Sequence, residues 1–169
     1  MDGLADHPSL RTLDFKHAGL TPTCLAHGGF CGPLLDNPRI SHLDLSGNNL
    51  AAQTHETQSG AYGTSGTVYI KHKTVGDGAG LIALAAAVQR GQGLATVDLS
   101  DTYLKESSSA ACTLLEALAK LPSVQKVKLS GNRWPKTSKD NICEAWVTKT
   151  LGARAEGHTA EKRMSYGEW

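Results

Sequence analysis

The sequence predicts an α/β fold built by repeating one strand–turn–helix unit. Three observations predict it. Four eleven-residue segments share one apolar pattern. They recur at intervals of about thirty residues. The connectors between them carry apolar or small residues every fourth position.

The segments are LRTLDFKHAGL (Leu10 to Leu20), ISHLDLSGNNL (Ile40 to Leu50), LATVDLSDTYL (Leu94 to Leu104) and VQKVKLSGNRW (Val124 to Trp134). Their first, fourth, sixth and eleventh slots are aliphatic or aromatic in every copy, from Leu10, Leu13, Phe15 and Leu20 to Val124, Val127, Leu129 and Trp134. Such internal self-similarity marks a repeat architecture. Copies one and two start 40 − 10 = 30 residues apart, as do copies three and four, 124 − 94 = 30. The middle interval, 94 − 40 = 54, contains one unit plus an insertion of 24 residues.

Counting back from each strand start, the connectors place Leu4, Leu34, Val88 and Leu118, then Phe30, Leu84 and Leu114, then Ala26, Gly80 and Ala110 on one line. A spacing of four with a small residue at the start is the inner face of a helix packed close to a strand layer. LIALAAAV and AACTLLEALAKL are strong helix formers. The first connector holds the same register but contains Gly28, Gly29, Gly32 and Pro33, so it is a poor helix.

The ninth slot is Asn48 and Asn132 in two copies, Ala18 and Thr102 in the others. An asparagine there bonds backbone groups where the chain turns off the strand. Asn48, Thr102 and Asn132 are read as a structural turn ladder. Ala18 cannot take part, so the first copy is expected to be looser.

These motifs resemble the ribonuclease-inhibitor-like class of the leucine-rich-repeat family, whose pattern is LxxLxLxxNxL followed by a helix. The resemblance spans roughly Leu4 to Trp134. It implies a leucine-rich-repeat solenoid, with about four parallel strands on the concave face and helices on the convex face. Each unit of such a stack buries its apolar face only against its neighbours.

On this reading residues 1–134 are the solenoid, with the insertion inside 51–75. Its first half is rich in Gly, Ser and Thr and reads as a flexible loop; its second half, TVYIKHK, reads as a short strand. The insertion is either tolerated drift at a loop tip or a dedicated binding finger. Residues 135–152 read as a C-terminal capping helix with Ile142, Trp146 and Leu151 on one face and Gly152 as its stop. Residues 153–169 form a polar tail without a strand motif, docked on its own solenoid or on a partner. The start falls late in a repeat, which leaves the first strand an open edge: either something covers it, or the chain is a piece of a longer one.

Chemistry-bearing patterns are sparse. No hydrolase elbow, P-loop or dinucleotide fingerprint stands in a matching context, so no enzyme activity, catalytic residue or cofactor is expected. VGDGAGL (Val75 to Leu81) is explained as the turn entering a helix rather than a phosphate loop. The seven histidines form neither HxxxH nor HExxH, and no metal is expected. Cys24, Cys31, Cys112 and Cys143 form no CxxC pair and read as small buried hydrophobes of a reduced compartment. A net charge of +1 gives no case for duplex nucleic acid or an anionic membrane, and no apolar run is long enough to span a bilayer. The expected location is an intracellular reducing compartment, the cytoplasm first, a ciliary or mitochondrial complex as alternatives.

Strand residues flanking the apolar slots point away from the core. One column is Asp14, Asp44, Asp98, Lys128; its neighbour is Thr12, His42, Thr96, Lys126; Asp101 lies on the turn side. Asp14, His42, Asp44, Asp98, Asp101, Lys126 and Lys128 are therefore the candidate partner-binding strip. The competing view is a solvated column of mutually repelling carboxylates. A cluster of Lys126, Lys128, Arg133, Lys136 and Lys139 near the last strand, with Tyr103 and Trp134 for stacking, suggests an RNA contact. The expected function is thus a non-catalytic protein–protein interaction module, a scaffolding subunit of a larger assembly. An RNA- or ribosome-associated subunit is the alternative.

Overall fold

A computed structural model describes residues 7–27, 35–59, 69–132, 134 and 144–157. Leu4, Phe30, Leu34, Cys31, Arg133, Lys136, Lys139, Ile142 and Cys143 lie outside the described residues. So do 60–68 of the insertion and 158–169 of the tail.

The elements run β1 (Thr12–Asp14), α1 (Pro22–Ala26), β2 (His42–Asp44), β3 (Ala52–Ser59), β4 (Tyr69–Gly76), α2 (Ala79–Val88), β5 (Thr96–Asp98), a 3-10 turn (Leu104–Ser107), α3 (Ser108–Lys120), β6 (Lys126–Lys128), α4 (Glu144–Leu151), a second 3-10 turn (Gly152–Arg154) and β7 (Ala155–Glu156). Five strands form one parallel sheet in the order β1-β2-β5-β6-β7, and β3 and β4 form a separate antiparallel pair. The fold is α/β with a five-stranded parallel sheet.

Strands β1, β2, β5 and β6 are only three residues each, because only the fourth slot and its two neighbours run extended before the turn. Main-chain pairing nevertheless continues past it: Phe15 N–H donates to the Asp44 carbonyl and Leu45 to Asp98, while Leu99 donates to Lys128. All sixteen apolar slots are buried except Leu10 and Phe15, which are half-buried. Both belong to copy one, at the sheet's outer edge. The helices pack in chain order, α1 on α2, α2 on α3, α3 on α4. Helix α2 is apolar nearly all round, as a helix between two others must be. Gly80 is its close approach: a Cβ there would lie 2.7 Å from the Pro22 carbonyl oxygen.

Four expectations need correction. The first half of the insertion is not loop throughout: Ala52–Ser59 pairs residue for residue with Tyr69–Gly76. Alternate polar residues do not prevent a strand when a partner strand saturates its backbone. The stretch read as a strandless tail contains β7, which pairs in parallel with β6 through Val127 with Ala155 and Lys128 with Glu156. Two residues are too few to leave a periodic signature. Arg154 holds this segment: its guanidinium donates to the carbonyls of Ala119 (3.0 Å) and Leu121 (3.4 Å), and its Nε to Leu151 (3.2 Å). A cation on the last carbonyls of α3 is favourable for helix-dipole reasons. Ala26 is exposed rather than inward, because α1 ends there and buries Pro22 and Leu25 instead. Cys24 is likewise exposed on α1; Cys112 is half-buried, and both are free thiols.

Candidate functional site

The sheet register brings the sequence-expected columns together. Thr12 pairs with His42, His42 with Thr96 and Thr96 with Lys126; Asp14 pairs with Asp44, Asp44 with Asp98 and Asp98 with Lys128. Their partners across the pleat, Leu13, Leu43, Val97 and Val127, are buried. Asp14 and His42 are exposed, and Asp44 and Asp98 are partly covered.

The aspartates are not merely solvated and repelling. Asp14 Oδ1 accepts the Lys16 N–H at 3.0 Å, Asp44 Oδ1 that of Ser46 at 2.8 Å, and Asp98 Oδ1 that of Ser100 at 3.0 Å. A carboxylate bonded to the amide two residues on is an Asx turn, which guides the chain off the strand. In copy four the slot holds Lys128, whose Nζ reaches Asp98 Oδ2 at 3.0 Å. Partial burial opposes ionisation of Asp98, but the bonds from Ser100 and the Lys128 ammonium outweigh it and hold the carboxyl below its ordinary range. Asp98 raises the Lys128 ammonium in return. Lys126 pairs with Glu156 on β7. Both described lysines of the basic cluster are therefore already paired. Arg133, Lys136 and Lys139 of that cluster lie outside the described residues.

The turn ladder is more specific than one asparagine per turn. Asn48 donates to the carbonyls of Leu45 (2.8 Å), in its own copy, and Phe15 (2.8 Å), in the copy before; its Oδ1 accepts the Leu20 N–H at 3.0 Å. Asn132 repeats this: it donates to Leu129 (3.1 Å) and Leu99 (2.6 Å) and accepts from Thr102 and Leu104, each at 3.2 Å. Each asparagine thus serves the preceding copy as well as its own. Copy one is accordingly not left unsatisfied by Ala18, because Asn48 bonds its turn. The Thr102 hydroxyl bonds its own Leu99 carbonyl (2.7 Å) and Asn132 and, among the described residues, nothing in copy two.

The sequence reading missed the eighth slot. His17, Gly47, Asp101 and Gly131 all adopt left-handed backbone, with φ of 51°, 68°, 55° and 70°. Gly47 and Gly131 are required twice over. A Cβ at 47 would stand 2.1 Å from the His17 ring, and one at 131 would stand 1.8 Å from Asp101 Oδ1. Tyr103 at the tenth slot is also left-handed, φ 61°, where copy one has Gly19. The signal was present: glycine in two of four eighth slots and one tenth slot. A non-glycine residue there costs about 1–2 kcal/mol.

Among the described residues no group of His, Cys, Asp or Glu is placed to hold a metal ion. No helix among them is long and apolar enough to cross a membrane. Compared with family models, curated proteins and solved structures, the chain matches none.

Proposed function

We propose that the chain is a leucine-rich-repeat solenoid of the ribonuclease-inhibitor-like class and acts as a non-catalytic protein–protein interaction module, a scaffolding subunit of a larger assembly. The observation that carries this reading is the exposed face of the parallel sheet. There Asp14 of copy one stands in register with Asp44 of copy two, and His42 stands between Thr12 and Thr96, while the residues between these columns form the core. The other face carries Leu13, Leu43, Val97 and Val127 into one core with residues of the helices, so each copy buries itself against its neighbours and leaves a polar surface to present. The proposed partner is a protein bearing lysine or arginine opposite this strip. The free thiols Cys24 and Cys112 support an intracellular, reducing setting, the cytoplasm in the simplest case.

Asp14→Asn with Asp44→Asn tests it. Asparagine keeps the Oδ1 acceptor of each Asx turn and removes only the charge. Association with the protein that co-purifies from native extract should slow about tenfold at low salt. The difference should shrink above about 0.1 M salt, where charges are screened within about 10 Å. Association unchanged at every salt concentration, with folding intact, would refute the strip as the contact surface.

A further inference from the structure

A depression of about 340 Å³ opens on the turn side of the sheet, beyond the strip. Its walls are His17, Asp101, Tyr103, Lys105 and Glu106, and Gly47 and Gly131 form part of its floor. Among the described residues, every non-glycine with left-handed backbone lines it: His17, Asp101 and Tyr103. The chain itself supplies a control for each. Copies two and four put glycine in the slot of His17 and Asp101, and copy one puts glycine in the slot of Tyr103. Strain concentrated at one concavity, at positions where the same fold uses glycine elsewhere, is the signature of side chains kept for contact.

The chemistry of the walls selects the ligand. Lys105 and Glu106 pair with each other at 3.4 Å. Asp101 makes no side-chain hydrogen bond or ion pair among the described residues, and its carboxylate lies against the bare Cα of Gly131. Tyr103 is half exposed, at 53%. One uncompensated carboxylate beside an accessible aromatic ring fits a flat, weakly hydrated cation that can pair at its edge and stack on its face.

We propose that this depression is a socket for an arginine side chain of a protein partner, with Asp101 pairing the guanidinium and Tyr103 taking its planar face. The proposal rests on the interaction reading above and names the partner's anchoring residue. It makes Asp101 part of a different contact from Asp14 and Asp44.

The test is an NMR titration of the isotope-labelled full chain with Nα-acetyl-arginine amide. Its neutral isostere, Nα-acetyl-citrulline amide, is the control. Saturable shifts of the Gly47, Tyr103 and Gly131 amides are expected with the arginine probe. Binding should weaken about tenfold with citrulline. Asp101→Asn keeps a residue that tolerates left-handed backbone and should lose about tenfold. Tyr103→Gly should weaken binding while raising the melting temperature, so a failure to bind cannot be laid to misfolding. Absence of saturable shifts up to about 10 mM probe, well past the millimolar range of a weak single-residue ligand, overturns the socket. Equal shifts with citrulline, or shifts produced only by an oligouridylate stacking on Tyr103, overturn it as well. If the socket fails while Asp14→Asn with Asp44→Asn still slows partner association, the interaction module stands and only the arginine anchor falls.

Discussion

Copies one and two are joined differently from copies two and three. At the first junction Asn48 reaches back to the Phe15 carbonyl and the Leu20 amide. At the third, Asn132 does the same for Leu99 and Leu104. The middle junction has no such side chain. The Leu50 amide there meets only the Thr102 carbonyl, at 3.4 Å, and Thr102 spends its hydroxyl within its own copy and on Asn132. Odd copies carry a side chain at the eighth slot and Ala or Thr at the ninth; even copies carry Gly-Asn. The period of the molecule is therefore two copies, and the seam falls between the pairs. At that seam the β3–β4 hairpin leaves the chain. Its base packs on the turn at Leu104–Ser107, so closely that a Cβ at Gly76 would lie 1.9 Å from the Glu106 carbonyl oxygen. Identical sheet register across all three junctions conceals unequal bonding of the turns.

The largest expected effect is at Asn132. Asn132→Ala takes this partner from the buried Leu129 carbonyl and the amides of Thr102 and Leu104, and leaves the Leu99 carbonyl only the Thr102 hydroxyl. The loss should reach about 3 kcal/mol, since each orphaned buried group costs about 1–3 kcal/mol. Asn48→Ala should cost less, because copy one is at the edge, with Leu10 and Phe15 half-exposed, and water can reach its turn. Urea denaturation of both variants measures this; equal losses would remove the distinction between an edge and an interior bridge.

Thr102→Asn should act in the opposite direction. An amide at the middle seam has a carbonyl and an amide of copy two within the reach that Asn48 and Asn132 use. A gain of about 1 kcal/mol, the worth of a net hydrogen bond, is expected. Hydrogen exchange checks the premise in the parent protein: the Leu50 amide should exchange faster than those of Leu20 and Leu104. Equal protection at all three would erase the seam.

The Asp98–Lys128 pair bridges copies three and four on the sheet face, and its contribution depends on pH. The folded-state pKa of Asp98 is lowered, so its stabilisation is present at neutral pH. It is lost as pH falls below the ordinary carboxylate value of about 3.9 and through the lower folded value. Lys128 is raised, so its share is lost only above the ordinary lysine value of about 10.4. Because Lys128 is 42% exposed, the effect should stay under about 1 kcal/mol. Asp98→Asn, which keeps the acceptor for Ser100, should be less stable than the parent at pH 7, with the gap closing as pH falls from the ordinary carboxylate value through the lower folded one. A constant gap would show that the pair is not the source.

The smallest effect is expected from shortening the hairpin. Replacing residues 55–73 with a two-residue turn keeps Gln53 bonded to Asp77 and the buried Ala51 and Ala52. The melting temperature should stay within a few degrees, since closure entropy changes by about 0.6 kcal/mol per doubling of loop length. A large drop would make the whole hairpin, not its base, the brace of the seam.

The strands and their register were legible because burial imposes a chemical alphabet: Leu13, Leu43, Val97 and Val127 must be apolar, and their spacing fixes the pairing. The columns of Asp14, Asp44 and Asp98 followed from alternation alone. What the aspartates do was not legible, since an Asx turn and a solvated carboxylate have the same sequence. The left-handed positions were half-visible, in Gly47 and Gly131, but hidden where His17 and Asp101 accept the strain. The hairpin's first strand was hidden because Ala52–Ser59 is polar and its order comes from its partner. Strand β7 was invisible, being two residues held by Arg154.

That arginine has a consequence for how the molecule meets others of its kind. The parallel sheet has two rims. Among the described residues nothing pairs with the outer side of β1, whereas β6 is covered by β7, and β7 stays because Arg154 ties it to the end of α3. Cleavage after Lys149, or loss of the guanidinium, would move the rim at this end from the two-residue β7 to the Val127 and Lys128 main chain of β6. Bare rims are templates for further strands. One side chain thereby keeps the shorter of two strands, the poorer template, at that rim.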